Sequence, residues 1–421
     1  MGRVSGGAGV STSTLARLKV LPDRRLAHRI TALGDSRVAA IHLDPAHRVL
    51  GNRSPLNWAI ARMGAGMTLA PVFGQSGDRT DQMAARLPAA IATDAGLLYL
   101  QGGLNDIAQR YPSAAQSGAS AAANLIAIAD AARDAGMIVV IELEVGSNDL
   151  DVGQIAQVVE LNAALVSYAA VTPGIHLNDA RFAVLDPATD GGTIRYRPLH
   201  AYDGMHPNGR GAYAWSDTLV ALLTRILPPA LSPLVRHPTE LPQNGRRQLL
   251  ANPLLLAATG GFGGSGGPVP AGFVVEELVG TATLSSRATP EGSGNEAVIE
   301  ANFTGPDQRI IFKQDAQAAH YAAGDVVEAV AEVELLDPPT GLAGLYLNLN
   351  QWTGSEGFDT TALAPADAEG PERPGTITLR TRAFTIRPHT GGWLAVMVVA
   401  QSGAAGSARF AVRQVGLRRI G

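Results

Sequence analysis

The hydrophobic pattern of the chain changes period once, and that change limits the fold more than any other feature. From residue 29 to about 227, short apolar runs alternate with segments of helical spacing, which is how βαβ units feeding a parallel sheet read in sequence. Past residue 252 the alternation has period two, that of antiparallel strands, and helical spacing is scarce. With 421 residues the chain is long enough for two or three separate cores, so a single small module is excluded.

In the first region the predicted strands are 30–33, 67–73, 96–101, 137–145 and 174–177, each a run suited to burial on both faces. Ser54 before Pro55 reads as an N-cap and first helical residue. Further helices are expected over 80–92, 114–135, 154–170 and 209–227, the second of these ending at Gly136. Pro228, Pro229, Pro233, Pro238 and Pro242 then break regular structure. Period-two runs follow at 297–303, 309–312, 326–336, 342–350, 376–386, 393–400 and 409–418, giving seven or eight antiparallel strands of a sandwich or jelly roll. The expected organisation is an arm over 1–27, an α/β domain over 28–229, a linker over 230–250 and a β domain over 251–421.

Composition removes several classes of function. A net charge of −4 offers no basic stripe for a phosphate backbone, so neither nucleic acid nor an anionic membrane is an expected partner. The absence of cysteine excludes disulfides, thiolate metal sites and a cysteine nucleophile. No stretch reaches 18 uninterrupted apolar residues, and the first 25 hold no apolar run of secretory length. The chain is expected to be soluble, with its compartment and oligomeric state left open.

Four loop segments carry chemistry. Gly34-Asp35-Ser36 directly follows the first strand, at the sheet edge where open α/β folds place ligands, although such a serine also serves as a turn or N-cap residue. Asp203 and His206 stand three residues apart in a loop before the last helix of the domain. A serine hydroxyl needs a neutral imidazole to take its proton, and the imidazole needs a carboxylate to fix its tautomer, roles that Ser36, His206 and Asp203 would fill. Gly77, after the second strand, and Asn105, after the third, would add donors for an oxyanion beside the Ser36 amide.

Taken in this order, the segments Gly34-Asp35-Ser36, Gly77, Gly103 to Asp106 and Asp203 to His206 resemble the four blocks of the SGNH, or GDSL, hydrolases over roughly residues 28–227. Ser76 to Thr80 with Asp203 to Asn208 is most similar to the arylesterase and lysophospholipase branch. The resemblance implies a flavodoxin-like three-layer α/β/α sandwich around a parallel five-stranded sheet. It also implies ester hydrolysis without metal or cofactor, on substrates that range in the family from sugar acetates to lipid, thio- and aryl esters. One departure is Arg37, where the family commonly has an apolar residue; it would attract an anionic substrate or pack its stem on the first helix.

Other patterns fall away on context. The run Gly261 to Gly267 satisfies both G-x-S-x-G and G-x-G-x-x-G but lies in the β region, without a strand before it and a helix after it. None of the histidines forms a spaced cluster of the kind a catalytic zinc needs, so no metal is expected.

The segment Asn252 to Leu255 with Val269 to Phe273 resembles the opening strand of jelly-roll modules of the carbohydrate-binding type. Trp352, beside Gly354 and Ser355, is the aromatic most suited to an exposed sugar platform. The expectation is a serine esterase acting on an O-acetylated carbohydrate. Its rivals are a lipid or aryl esterase, an acyltransferase on the same triad, and a glycan-binding or virion attachment protein with a degenerate hydrolase domain.

Overall fold

Five parallel strands form the first sheet of the computed structural model, which describes residues 28–188, 192–235, 248–257, 267–278 and 280–420. The expected arm at 1–27, residues 236–247 of the expected linker and the glycine run 261–266 lie outside the described residues.

The first half of the chain contributes β1 (Arg29–Gly34), β2 (Val49–Gly51), β3 (Thr68–Gly74), β4 (Leu97–Gln101), β5 (Ile138–Glu142) and β6 (Ile175–Asn178). Its sheet has the order β3-β1-β4-β5-β6, which is the flavodoxin-like order with β2 set aside. Period two sends Leu33, Leu98, Leu100, Val139 and Ile141 to one face, under the helices Ser117–Asp134 and Val152–Val171. Ile30, Ala32, Leu97, Tyr99 and Val140 face the other way, under Pro55–Arg62 and Gly209–Ile226. These are the three layers that the resemblance implies. Val152–Val171 is long and apolar enough to cross a membrane by length and composition, but Ile155, Val158, Leu161 and Leu165 are buried in this core.

The second half forms two antiparallel sheets from β7 (Phe273–Leu278), β8 (Thr281–Ala288), β9 (Asn295–Phe303), β10 (Arg309–Asp315), β11 (Val326–Leu335), β12 (Leu342–Trp352), β13 (Gly357–Ala364), β14 (Gly375–Arg380), β15 (Phe384–Thr385), β16 (Trp393–Ser402) and β17 (Gly406–Arg419). One sheet runs β2-β13-β12-β16-β10-β7, the other β14-β11-β17-β9-β8 with β15 beside β11. The sandwich is as expected, with more strands than the period-two runs suggest.

Local differences have local causes. The helix expected over 80–92 is two short ones, Thr80–Ala84 and Leu87–Ile91, because Pro88 lacks the N–H that would continue the ladder. The strand expected over 137–145 stops at Glu142, since the Asn162 side chain takes both backbone groups of Glu144, accepting from its N–H at 2.8 Å and donating to its carbonyl at 2.8 Å. The strand expected over 376–386 breaks at Thr381, whose hydroxyl accepts from the Ala329 N–H at 3.0 Å. Asn252 to Leu255 forms no strand; the Asn252 amide bridges instead to the Ala271 carbonyl at 3.0 Å.

The two halves are joined by more than the chain. β2 pairs in parallel with β13, so the α/β half closes one edge of a sandwich sheet, with Asn52 N–H donating to the Ala364 carbonyl at 3.0 Å. Trp58 and Ala61 of one helix, with Ala212 and Tyr213 of another, belong to the same buried cluster as the sandwich core. Trp58 is fully buried and its indole N–H donates to the Asn52 carbonyl at 2.7 Å. Trp58→Ala is therefore expected to cost about 3–5 kcal/mol, and calorimetry should show both halves of the wild type unfolding in one transition. Two well-separated transitions in the wild type would contradict a shared core.

Candidate active site

In a flavodoxin-like sheet the loops after neighbouring strands part at the point where strand order reverses, and ligands bind there outside the carboxyl ends. In this chain that point lies between β1 and β4. Ser36 follows β1, Gly77 follows β3 and Asn105 follows β4, so three of the four segments share one edge of the sheet.

Close backbone approach makes this edge compact. A Cβ on Gly34 would stand 2.2 Å from the Gln101 carbonyl oxygen and 2.4 Å from the Val38 side chain, so only glycine fits before Asp35. Gly34 O accepts from Gln75 N–H at 3.1 Å and from Arg86 Nη2 at 3.0 Å, which ties the Ser36 turn to the Gly77 loop. Arg86 also pairs with Asp78. Gly77 itself has φ +82°, a left-handed conformation that favours glycine. The Asn105 side-chain amide donates to the Asp78 carbonyl at 2.9 Å, leaving its second N–H for another acceptor. The buried Asp106 carboxylate accepts from the Thr80 N–H at 3.0 Å and its hydroxyl at 2.6 Å.

The fourth segment arrives from far along the chain. Asn208 caps the helix Gly209–Ile226 through a bond from Gly211 N–H at 2.9 Å, so the loop before it has a fixed exit. Within that loop Asp203 Oδ1 accepts from the N–H groups of Met205 (3.0 Å) and His206 (2.8 Å). This leaves Oδ2 for His206 Nδ1, 2.8 Å away. His206 Nε2 stands 2.7 Å from Ser36 Oγ. With Nδ1 carrying its proton toward the carboxylate, Nε2 is an acceptor and the serine hydroxyl donates to it. Hydroxyl, imidazole and carboxylate thus lie in one hydrogen-bonded series. Although partial burial alone would raise the Asp203 pKa, the bonds from the His206 N–H, its ring and the Met205 N–H hold it below the ordinary value.

Beneath the series lies a buried ion pair. Arg37 donates Nη1 to Glu144 at 2.6 Å, and its Nη2 donates to the carbonyls of Gly146 at 2.9 Å and Met205 at 3.1 Å. It therefore fastens the residue after Ser36 to the loop of His206, which is neither of the two roles expected for it, and at 3% exposed it is out of a substrate's reach. Burial works against the Arg37 charge, but Glu144 drives its pKa above the usual arginine value. Asp35 is also buried, and burial pushes its carboxyl up to about 6 against the pull of Arg37. Farther along β5, burial pushes Glu142 up to about 7 despite hydrogen bonds from Trp215 and Asn178.

Residues that the sequence reading passed over complete the rim. The exposed Tyr202 ring stacks on His206 with centroids 5.6 Å apart. The Arg53 guanidinium lies 3.8 Å from the Tyr202 ring centre, and Arg53 Nε donates to Asp367 of the sandwich at 2.9 Å. Tyr202 stands beside Asp203 and was open to notice; Asp367 carries no sequence signal that links it to position 53. Trp352 ends β12 rather than sitting in a loop, is 38% exposed and pairs in the sheet with Gly357 and Trp393. Among the described residues no three His, Asp or Glu side chains converge as metal ligands would.

Residues 32–214, within the α/β half of the chain, match the model of the GDSL-like Lipase/Acylhydrolase family. Solved structures similar to that half include a GDSL-like lipase from Bacteroides thetaiotaomicron, at 16% identity, covering 51% of this chain and 93% of that one with a TM-score of 0.35. Another is a catalytic mutant of an acetylxylan esterase from Geobacillus stearothermophilus, at 16% identity over 47% of this chain and 94% of that one, TM-score 0.37. A third is a carbohydrate esterase family 3 protein from Talaromyces cellulolyticus, at 19% identity over 47% and 97%, TM-score 0.35. No curated protein sequence matches the chain.

Removing one member of the buried pair should be more harmful than removing its charge altogether. Arg37→Met strands Glu144 and is expected to cost about 3–5 kcal/mol in denaturant unfolding. Adding Glu144→Gln should recover most of that loss, because the neutral amide still accepts from the Gly146 N–H, now 2.8 Å from Glu144. Equal stability of the single and double variants would show that the loss does not come from stranding the Glu144 charge.

Proposed function

We propose that the chain is a serine esterase with Ser36 as nucleophile, His206 as general base and Asp203 as the carboxylate that orients the imidazole. The observation that carries this reading is the unbroken series Ser36 Oγ, His206 Nε2, His206 Nδ1, Asp203 Oδ2, with contacts of 2.7 and 2.8 Å at the switch point of the sheet. His206 takes the hydroxyl proton as Oγ attacks the ester carbonyl, and returns it to the departing alcohol. Water then enters, gives a proton to His206 as its oxygen attacks the acyl carbonyl, and the acid leaves as His206 returns that proton to Ser36 Oγ. The Ser36 and Gly77 N–H groups and the second amide N–H of Asn105 receive the negative charge of each tetrahedral intermediate.

The proposed substrate is an O-acetylated carbohydrate. Support for a polymeric alcohol comes from the sandwich, whose loop residues 366 and 367 reach the rim through Arg53, and from Trp352, exposed at the end of β12. Hydrolysis of p-nitrophenyl acetate should vanish in Ser36→Ala and fall about 10²–10³-fold in turnover in Asn105→Ala, while acetate release from acetylated polysaccharides tests the alcohol portion. A Ser36→Ala variant as active as the wild type would overturn the assignment.

The link from Asp367 of the sandwich through Arg53 to Tyr202 gives a second expectation. Asp367→Ala frees Arg53, and with it the ring that stacks on His206, so kcat should fall roughly tenfold with KM little changed. Tyr202→Phe, which keeps the stacked ring, should behave as wild type and Tyr202→Ala as Asp367→Ala. Steady-state kinetics that show a change in KM alone would assign Asp367 to substrate binding instead.

A further inference from the structure

At the opposite end of the parallel sheet from Ser36 lies a cavity of about 320 Å³ between the two halves of the chain. Its position follows from topology. Met67 and Leu69 stand at the start of β3, whereas Gly77 follows the end of that strand. Much of the wall is apolar, from Leu50, Ile60, Met67 and Leu69 of the α/β half and Leu363 and Leu379 of the sandwich, and its charged groups are Glu328, Arg380 and Arg382. The volume is within the range of small-molecule sites.

Two arginines line this space and differ in their pairing. Arg380 is satisfied, with Nε and Nη2 both on Glu328 at 2.9 and 2.8 Å. Arg382 is half-buried and makes no ion pair among the described residues; its one hydrogen bond runs from Nη1 to His42 Nε2 at 2.8 Å. The acid that acts on it electrostatically, Asp44, accepts instead from the Val49 N–H at 2.7 Å and faces Arg48 at 3.6 Å. Burial consequently holds the Arg382 pKa below the usual arginine value, with Asp44 opposing, and holds His42 at about 4, so the imidazole is a neutral acceptor. With Nη1 committed to His42, the edge formed by Nε and Nη2 is open. That edge is the fork that binds a carboxylate through two parallel hydrogen bonds. An apolar cavity with one uncompensated cation at its wall fits an amphiphile with an acidic head.

We propose that this cavity binds a medium-chain aliphatic carboxylate, its alkyl chain against the apolar wall and its carboxylate on the Nε and Nη2 edge of Arg382. The site is separate from the triad, and the proposal does not depend on the esterase reading.

Calorimetric titration of the full chain with hexanoate, octanoate and the neutral 1-octanol tests it. One site per chain is expected, with affinity rising roughly fourfold per added methylene and octanol binding at least tenfold more weakly than octanoate. Arg382→Gln should bring octanoate to the level of octanol and leave octanol unchanged. Ala383→Trp, at an exposed lining position, should abolish binding of both, and Ser36→Ala should bind as wild type. Octanol binding as tightly as octanoate, an unchanged Arg382→Gln, or no binding of any probe would overturn the proposal. Loss in Ser36→Ala with retention in Ala383→Trp would assign the ligand to the serine site and overturn it equally.

Discussion

The structure depends on one shared layer of helices. Pro55–Arg62 and Gly209–Ile226 each lie between the parallel sheet and the sandwich, with Leu56, Ala59, Leu219 and Leu223 on the first and Trp58, Ala61, Ala212 and Tyr213 on the second. A helix buried on two sides removes apolar area from water twice, and neither half of the chain can bury those residues alone. The polar groups around this layer repeat the arrangement. Asp217 accepts from Arg62 at 2.7 Å on its own side and from Arg373 of the sandwich at 2.6 Å, while Arg210 pairs with Glu369 at 2.8 Å. The same helix, Gly209–Ile226, begins three residues after His206, so packing against the sandwich bears on where the imidazole stands.

Around the hydrogen-bonded series Ser36, His206 and Asp203, charge is arranged in depth. The outermost member, Asp203, is 41% exposed at its side chain and is fixed by hydrogen bonds from its own loop rather than by burial. Arg37 and Glu144 lie at the base, nearly free of solvent, where unpaired charge is costly and geometry is consequently strict. Because Arg37 touches the backbone of both Gly146 and Met205, the loops after β1 and β5 and the loop of His206 are held as one body. Water screens the exposed carboxylate and not the buried pair, so the rigid element of the site is the pair.

The sequence made the layers legible because burial on both faces and burial on one leave different periods, and those periods survive without knowledge of any partner strand. Ser36, Gly77 and Asn105 could be brought to one edge by strand order alone, since each follows a strand end, and Asp203 with His206 stands just before the last helix of that half. What could not be read was long-range. Val49–Gly51 is three residues long and is a strand only because β13 lies beside it. Arg53, Tyr202 and Asp367 meet across more than three hundred residues of chain, and the partner of Arg37 is a glutamate on another strand's exit loop. Such pairings have no local period, so pattern analysis sees an isolated arginine and leaves its role between packing and substrate.

The β half bears on the proposed chemistry through geometry as well as support. A polymeric ester must reach Oγ without threading, and the exposed positions of Tyr202 and Asp203 leave the imidazole side of the site at the surface. Asp367 and Arg53 border that same side, so a substrate lying over His206 would also lie against the sandwich. Binding energy gained there, remote from the scissile bond, raises turnover only where it aligns the carbonyl with Ser36 Oγ and the three donors. An ester on a small alcohol makes no such contact and gains nothing from it. The proposed preference for a carbohydrate acetate over a simple acetate is accordingly a preference that the sandwich rim, more than the triad, would have to supply.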